Sequence, residues 1–250
     1  MIEYPVSIPT PDGTADGYLY CDDQSRTLPG IIHLTDIHGL RDASRGMAQR
    51  LAADGYTVLQ PNVFYRTRKP PMFEFPANFT EDRTKQRFAE LTQPLTPDAM
   101  VRDANAYVDF LRDQKTVARG PMGVVGYCFS GSMALRTAAA RPELIAGAVS
   151  FHGGGLHTDS PTSPDLELPR VKAELHFGHA FEDRSMPAES IAKLDDSLAA
   201  WGGKYESIVY DHARHGWTVP DSAAYNEEEA ERAFANMTAL FARTLRDGTI

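Results

Sequence analysis

The fold is decided by the stretch MGVVGYCFSG, residues 122–131. Met122–Gly126 predicts a short buried strand that runs directly into a tight turn, and the turn opens a helix expected to continue to Ala140. The pentapeptide GYCFS (126–130) has the spacing of a nucleophile elbow, with cysteine as the nucleophile and serine in place of the usual last glycine. Cys128 then lies at a helix amino terminus, where the dipole favours a thiolate. The competing interpretation of Cys128 is a buried core cysteine.

Short apolar runs alternate with amphipathic stretches along the rest of the chain. This alternation is typical of repeated βα units, and it predicts an α/β fold with a mostly parallel central sheet and helices on both faces. Thr96 and Pro97 have the pattern of an N-cap and a first helical residue. The other predicted strands cover 29–34, 56–60, 146–151, 173–177 and 205–210, and the other predicted helices cover 42–54 and the stripe from Ala230 to Phe241.

The length of 250 residues suits a single domain over 1–250. Two segments interrupt the alternation. Residues 64–95 combine prolines, aromatic residues and clustered basic residues, which predicts a loop with a short helix acting as a cap. Residues 153–169 are rich in Gly, Pro and Ser and predict a long surface loop.

A nucleophilic cysteine needs a base and a group that orients the base. In this kind of fold the chain order is nucleophile, acid, histidine. Asp183 follows the predicted strand at 173–177, and His215 follows the strand at 205–210, with Gly216 allowing a tight turn. We therefore predict a catalytic triad of Cys128, Asp183 and His215. Competing candidates are Glu182 for the acid and, for the base, His179 and His212.

Composition excludes several other classes. The 34 acidic and 25 basic residues give a net charge of −9, which argues against a nucleic-acid partner. The histidines include no HExxH motif and the two cysteines no CxxC spacing, so we expect no metal and no cofactor. With no apolar run of membrane-spanning length and no signal-peptide pattern, we expect a cytoplasmic protein without a membrane partner, either a monomer or a weak homo-oligomer.

Taken in order, several short motifs resemble the dienelactone hydrolases (carboxymethylenebutenolidases) of the α/β-hydrolase superfamily. They are TDIHG (35–39), PNVFY (61–65), GYC (126–128), Asp183 with Pro187, and HGW (215–217). The resemblance implies Cys128 as nucleophile, Asp183 as orienting acid and His215 as base and then acid. It also implies an oxyanion hole made by the backbone N–H groups of Ile37 and Phe129.

Two positions depart from the family pattern. Asp36 stands where members carry a glutamate that assists thiol deprotonation, so the resemblance implies the same role for a side chain one methylene shorter. Members also bind a substrate carboxylate with arginines, one of them soon after the catalytic histidine, but residues 217–220 read WTVP. Arg83 is the candidate for the other arginine. Tyr127, Phe64 and Trp217 are candidate pocket walls, with ordinary core packing as the alternative for each.

HGGG (152–155) resembles the oxyanion motif of lipases but follows the nucleophile instead of preceding it. We therefore expect a strand-end loop that lines the pocket. The predicted function is hydrolysis of a small lactone or activated ester through a thioester. Three alternatives stay open: a general short-chain esterase or thioesterase, a degenerate hydrolase that only binds a ligand, and a redox sensor, for which Cys21 is not obviously placed as a resolving partner.

Overall fold

Eight strands form one mixed sheet in the computed structural model, which describes residues 1–246. The strands are β1 Ile2–Thr10, β2 Gly13–Cys21, β3 Gly30–Leu34, β4 Thr57–Pro61, β5 Met122–Tyr127, β6 Ile145–Phe151, β7 Glu174–Glu182 and β8 Tyr205–Arg214. Their order in the sheet is β1-β2-β4-β3-β5-β6-β7-β8. β1 and β2 form an antiparallel hairpin, β2 pairs antiparallel with β4, and all pairs from β4 to β8 are parallel.

Within the described part of the chain, six α-helices cover the sheet: α1 Asp42–Ala53, α2 Asp82–Thr92, α3 Pro97–Arg112, α4 Ser130–Ala140, α5 Ala188–Trp201 and α6 Glu227–Phe241. Buried residues of α3, α4 and α5 form one core with one face of the sheet. Those of α1 and α6 form a second core with the opposite face. Every residue of the central strands β3, β4 and β5 is buried, as expected for parallel strands covered on both sides.

The predicted strands and helices are all present, and the predicted sheet with helices on both faces is confirmed. Thr96 caps α3 by accepting a hydrogen bond from the Ala99 N–H, and Pro97 is the first helical residue. β7 and β8 are each four residues longer than predicted. The β1–β2 hairpin and α5 were not predicted.

The two interrupting segments differ in how closely the structure follows the prediction. In 64–95 an extended loop leads into α2, as predicted, and Leu91 of α2 packs in the core. The cap function of this segment stays a prediction. The 153–169 segment is less exposed than expected, because it runs into a 3₁₀ helix (Pro164–Arg170) in which Asp165 is buried against His157 and Ser197.

The sheet brings three chemically important residues to one edge. Cys128, Asp183 and His215 each come directly after β5, β7 and β8, whose carboxyl ends share this edge because the strands are parallel. Ligands of such sheets bind at this edge. None of the helices within residues 1–246 has the length and hydropathy needed to cross a bilayer.

Candidate active site

The turn between β5 and α4 has the geometry of a nucleophile elbow. Cys128 has φ +59°, a left-handed conformation that non-glycine residues rarely adopt. A Cβ at Gly126 would lie 2.1 Å from the Ser130 carbonyl oxygen, so the turn admits no side chain there. The Ser130 hydroxyl accepts a hydrogen bond from the Tyr127 N–H at 2.8 Å, so serine at this position ties the turn together. Cys128 is half-buried at the start of α4.

The structure joins Cys128, His215 and Asp183 in a continuous chain of hydrogen bonds. His215 Nε2 lies 3.1 Å from Cys128 Sγ, and His215 Nδ1 lies 2.7 Å from Asp183 Oδ2. Because Asp183 is an acceptor, Nδ1 carries a proton and Nε2 faces the sulfur. Gly216 has φ +95°, and a Cβ there would meet the Ser222 hydroxyl at 2.8 Å, so the turn after His215 requires glycine.

Electrostatics at this chain favour a charged imidazole. Burial lowers the pKa of His215, but hydrogen bonds to Asp183 and Cys128 outweigh burial and raise the pKa to about 10. Burial raises the pKa of Asp183, and the bonds from His215 and Ser185 more than compensate, leaving that pKa below its usual value. The contacts with Asp183 and Cys128 therefore favour the charged form of the imidazole next to the sulfur.

The competing acid and base candidates lie elsewhere. Glu182 is exposed and pairs with Arg214, whereas the Asp183 side chain is only 2% exposed. His179 is buried within β7, where neither ring nitrogen has a hydrogen-bond partner among residues 1–246. His212 is exposed on β8. Among these candidates Asp183 and His215 bond to each other, and His215 also contacts the cysteine.

Ser185 is a contact of Asp183 that the sequence analysis missed. Its N–H and its hydroxyl both donate to Asp183 Oδ1, at 2.8 and 2.6 Å. The two carboxylate oxygens are thus divided, Oδ1 toward Ser185 and Oδ2 toward His215. A serine two residues after an aspartate is a common turn pattern, and this was the available signal.

Two backbone donors lie next to the elbow. The loop carrying Ile37 follows β3, whose last residue Leu34 is in register with Gly126 of β5. Neither the Ile37 nor the Phe129 N–H donates to an acceptor within residues 1–246. Both N–H groups are thus without an acceptor among these residues, which an oxyanion hole requires, and the oxyanion hole itself stays a prediction.

Asp36, the predicted thiol activator, is held by an arginine. Arg41 NH1 and NH2 donate to its two carboxylate oxygens at 2.7 and 2.9 Å, and the His38 N–H donates to Oδ1. Arg41 also binds Asp221 at 2.7 and 2.9 Å. We call Asp36, Arg41 and Asp221 the Arg41 cluster. Both oxygens of Asp36 are used within it, so a role in thiol activation stays a prediction with no hydrogen bond to Cys128 behind it.

The three predicted pocket walls are interior residues. Phe64, Tyr127 and Trp217 are 1%, 3% and 0% exposed. Phe64 packs against Phe129, and Trp217 packs against His152. As substrate contacts they stay predictions, and their burial favours the alternative of core packing.

Arg83, the predicted carboxylate ligand, lies in α2 with its side chain 58% exposed. Its Nε donates to Glu81 at 2.7 Å, and its guanidinium lies over the Phe75 ring, 4.6 Å from the centroid. Its positive charge is thus already paired, and contact with a substrate stays a prediction.

His152 is a second residue that the sequence analysis underestimated. It was assigned to a loop lining the pocket, yet it is buried and its Nδ1 accepts a hydrogen bond from the Cys128 N–H at 3.0 Å. Its ring meets the His215 ring edge-on, with centroids 5.1 Å apart. The only sequence signal was its position after β6, one strand along from the nucleophile.

The described residues offer no cluster of three or more His, Cys, Asp or Glu side chains arranged to hold a metal. Cys21 is buried at the end of β2. Because β2 is antiparallel to β4, this end lies at the edge of the sheet opposite Cys128. Cys21 is therefore not placed as a resolving partner for Cys128.

Residues 15–245 match the model of the dienelactone hydrolase family. The chain belongs to this family. A carboxymethylenebutenolidase from Rhodococcus opacus is 30% identical over 209 residues, covering 83% of this chain and 77% of the relative. A carboxymethylenebutenolidase from Pseudomonas putida is 26% identical over 240 residues, covering 96% and 95%.

A crystal structure from Klebsiella pneumoniae, provisionally classed as a dienelactone hydrolase, has the same fold. The TM-score is 0.86 at 22% identity, covering 97% of this chain and 98% of the other. The predicted α/β-hydrolase fold and family are thus confirmed. The chain is a hydrolase of the dienelactone hydrolase family, acting on ester or lactone bonds.

Proposed function

We propose that the protein hydrolyses a small ester or lactone through a thioester on Cys128. The observation that carries this proposal is the chain of contacts from Cys128 Sγ through His215 to Asp183, at 3.1 and 2.7 Å. The left-handed elbow holds the sulfur at the strand-end edge, where a substrate has access.

In the first half-reaction the Cys128 thiolate attacks the carbonyl carbon and a C–S bond forms. The carbonyl oxygen becomes an oxyanion that the Ile37 and Phe129 N–H groups stabilise. Each such donor contributes about 3–4 kcal/mol to transition-state stabilisation. The C–O bond then breaks, and the leaving oxygen takes the proton from His215 Nε2, which leaves a thioester and a neutral imidazole.

In the second half-reaction the neutral imidazole takes a proton from water as the water oxygen attacks the thioester carbon. The C–S bond breaks, the thiolate is restored and His215 is again an imidazolium. Asp183 stabilises that positive charge throughout, which agrees with the raised pKa of His215. The sum is one water consumed for each C–O bond cleaved: an ester gives an acid and an alcohol or enol, and a lactone gives one molecule that carries both groups.

The substrate class is narrowed by the charges near the site. Arg41 is paired with two carboxylates, Arg83 is paired with Glu81, and residues 217–220 contain no arginine. A bond from a charged donor to a substrate carboxylate is worth about 1.5–3 kcal/mol. We therefore expect little preference for substrates that carry a free carboxylate. The same observation favours a general short-chain esterase as the second candidate.

The test is hydrolysis of cis- and trans-dienelactone and of p-nitrophenyl acetate by wild type and Cys128→Ala. Turnover of the lactones that is lost in the variant supports the nucleophile and the dienelactone substrate. Turnover of the simple ester alone keeps the nucleophile and selects the esterase. Unchanged turnover in Cys128→Ala contradicts the proposed mechanism, and a folded wild type inactive on all three compounds favours a ligand-binding role.

A further inference from the structure

Two non-glycine residues within 1–246 have left-handed backbone conformations, and they touch each other. Cys128 has φ +59° and His152 has φ +40°. Each directly follows one of two paired parallel strands, since Tyr127 of β5 is in register with Phe151 of β6. Backbone strain of this kind costs about 1–3 kcal/mol per residue and persists where surrounding contacts hold it.

The contacts of His152 fix which nitrogen carries its proton. The Cys128 N–H donates to Nδ1 at 3.0 Å and is shared with the Phe151 carbonyl oxygen at 3.1 Å. Because Nδ1 accepts, Nε2 carries the hydrogen and donates to Thr218 Oγ1 at 2.8 Å. His152 is 1% exposed, and burial keeps its pKa well below the usual value. The ring is therefore neutral and remains an acceptor at Nδ1.

His152 also supports the base. Its ring meets the His215 ring edge-on, with centroids 5.1 Å apart, and packs on Trp217 at the same centroid distance. The backbone of the following turn is equally close to the nucleophile, because the Gly154 N–H donates to the Cys128 carbonyl oxygen at 3.3 Å. One side chain thus contacts both the backbone of the nucleophile and the ring of the base.

We propose that His152 is a positioning residue for the hydrolysis, holding Cys128 in its left-handed conformation and seating the His215 ring against the sulfur. This role rests on the proposed function of Cys128. A displacement of about 1 Å at reacting atoms costs about 100-fold in rate, so loss of these contacts acts on the chemical step more than on substrate binding.

The test compares His152→Leu with His152→Asn. Leucine removes the acceptor, and we expect kcat on p-nitrophenyl acetate to fall about 100-fold with KM changed less than about threefold. Asparagine tolerates left-handed φ and places Oδ1 near the position of Nδ1, so we expect it to recover activity to within about tenfold of wild type. Equal loss in both variants would overturn the proposal.

A second measurement separates this proposal from the hydrolytic one. Alkylation of Cys128 by iodoacetamide, followed by mass spectrometry, measures the reactivity of the thiol independently of ester hydrolysis. We expect the alkylation rate to fall about tenfold in His152→Leu and to recover in His152→Asn, in line with the cost of misplacing reacting groups. If Cys128→Ala still hydrolyses the ester, the proposed function fails while this measurement still tests the positioning of the thiol.

His33→Leu is the matched control. His33 is likewise a buried histidine packed against Tyr127, with ring centroids 5.0 Å apart, but it bonds to Gln60 and not to Cys128. We expect it to lower the melting temperature and leave kcat and the alkylation rate near wild type. Thr218→Val, which removes only the Nε2 contact, should lower kcat less than tenfold. Parallel losses of kcat in His33→Leu and His152→Leu would indicate a structural role only and overturn the proposal.

Discussion

Two charged clusters lie at the same edge of the sheet, and they differ in how completely their hydrogen bonds are used. In the triad, His215 Nδ1 donates to Asp183 Oδ2, and His215 Nε2 faces Cys128 Sγ. In the Arg41 cluster, all five guanidinium N–H donors have acceptors, on Asp36, Asp221 and the Gly39 carbonyl.

This difference in hydrogen bonding separates a charged cluster that can meet a substrate from one that stabilises the fold. The predicted triad ends in a sulfur whose one hydrogen-bond contact within residues 1–246 is His215 Nε2, so under the proposed function this end of the chain faces the substrate. The Arg41 cluster is closed, so its charges hold the loop that carries the Ile37 N–H. Neighbouring positions in one fold can thus have similar residue types and different roles, and the number of unused donors and acceptors distinguishes them.

The largest expected effect on kcat comes from replacing Asp183, the acid of the triad. Asp183→Asn removes the charge that stabilises the imidazolium and allows the wrong tautomer of His215, so kcat should fall by about 10³–10⁴. The measurement is steady-state hydrolysis of p-nitrophenyl acetate.

Glu182→Gln is the matched control, because Glu182 is the adjacent carboxylate and pairs only with the exposed Arg214. It should keep wild-type kcat. A comparable loss in both variants would mean that Asp183 acts through local structure or charge and not as the partner of His215.

The next largest effect comes from removing the guanidinium of Arg41 from the Arg41 cluster. Arg41→Gln leaves the Asp36 carboxylate, whose side chain is 10% exposed, without its charged partner. The free energy of unfolding should fall by about 2 kcal/mol, since bonds to charged groups contribute about 1.5–3 kcal/mol. Urea denaturation measures this, and Arg243→Gln, which removes a more exposed pair with Glu174, should cost under about 1 kcal/mol.

The double variant Asp36→Asn with Arg41→Gln sharpens the result. If the cost comes from a bare buried charge, neutralising Asp36 should restore most of the lost stability. A double variant no more stable than Arg41→Gln alone would show that Arg41 acts through packing.

Much of the candidate site at the carboxyl ends of the strands could be predicted from local sequence patterns. The elbow and the meeting of Asp183 and His215 beside Cys128 could be predicted because each of the three residues comes directly after a strand, in the chain order expected of the fold. The β1–β2 hairpin was missed, although Pro11-Asp12-Gly13 is a recognisable turn signal.

Other features have no local signal. The bond between Arg41 and Asp221 joins residues 180 positions apart, and no pattern near either one predicts it. The left-handed φ of His152 is equally hidden, because histidine does not favour it as glycine does. Tyr127 is the last residue of β5 and Trp217 follows β8, and at such positions an aromatic side chain can turn into the core or the pocket. Long-range packing makes that choice.

The two clusters should also differ in how their contributions to stability depend on pH, and this effect is smaller. The pKa of His215 is raised from 6.5 to about 10, so its contribution to stability is fully present below pH 6.5 and is lost as the pH rises through about 10. Arg41 keeps its charge over this range. The melting temperature of wild type minus that of His215→Gln should therefore narrow by a few degrees from about pH 6 to about 10. The corresponding difference for Arg41→Gln should stay constant, and a constant difference for His215→Gln would contradict the ion pair.

The smallest effect tests how much of the Asp183 orientation comes from side chains alone. Ser185→Ala removes the hydroxyl that donates to Asp183 Oδ1 at 2.6 Å but keeps the Ser185 N–H, which donates to the same oxygen. Losing one of two bonds to a single oxygen should cost about 1 kcal/mol, so kcat should fall about fivefold with KM unchanged. Ser197→Ala, which removes a comparable bond to Asp165 away from the triad, is the control and should keep wild-type kcat. A loss of 100-fold in Ser185→Ala would mean that the hydroxyl, and not the backbone, holds Asp183 against His215, and the reactive cluster would then depend on four side chains instead of three.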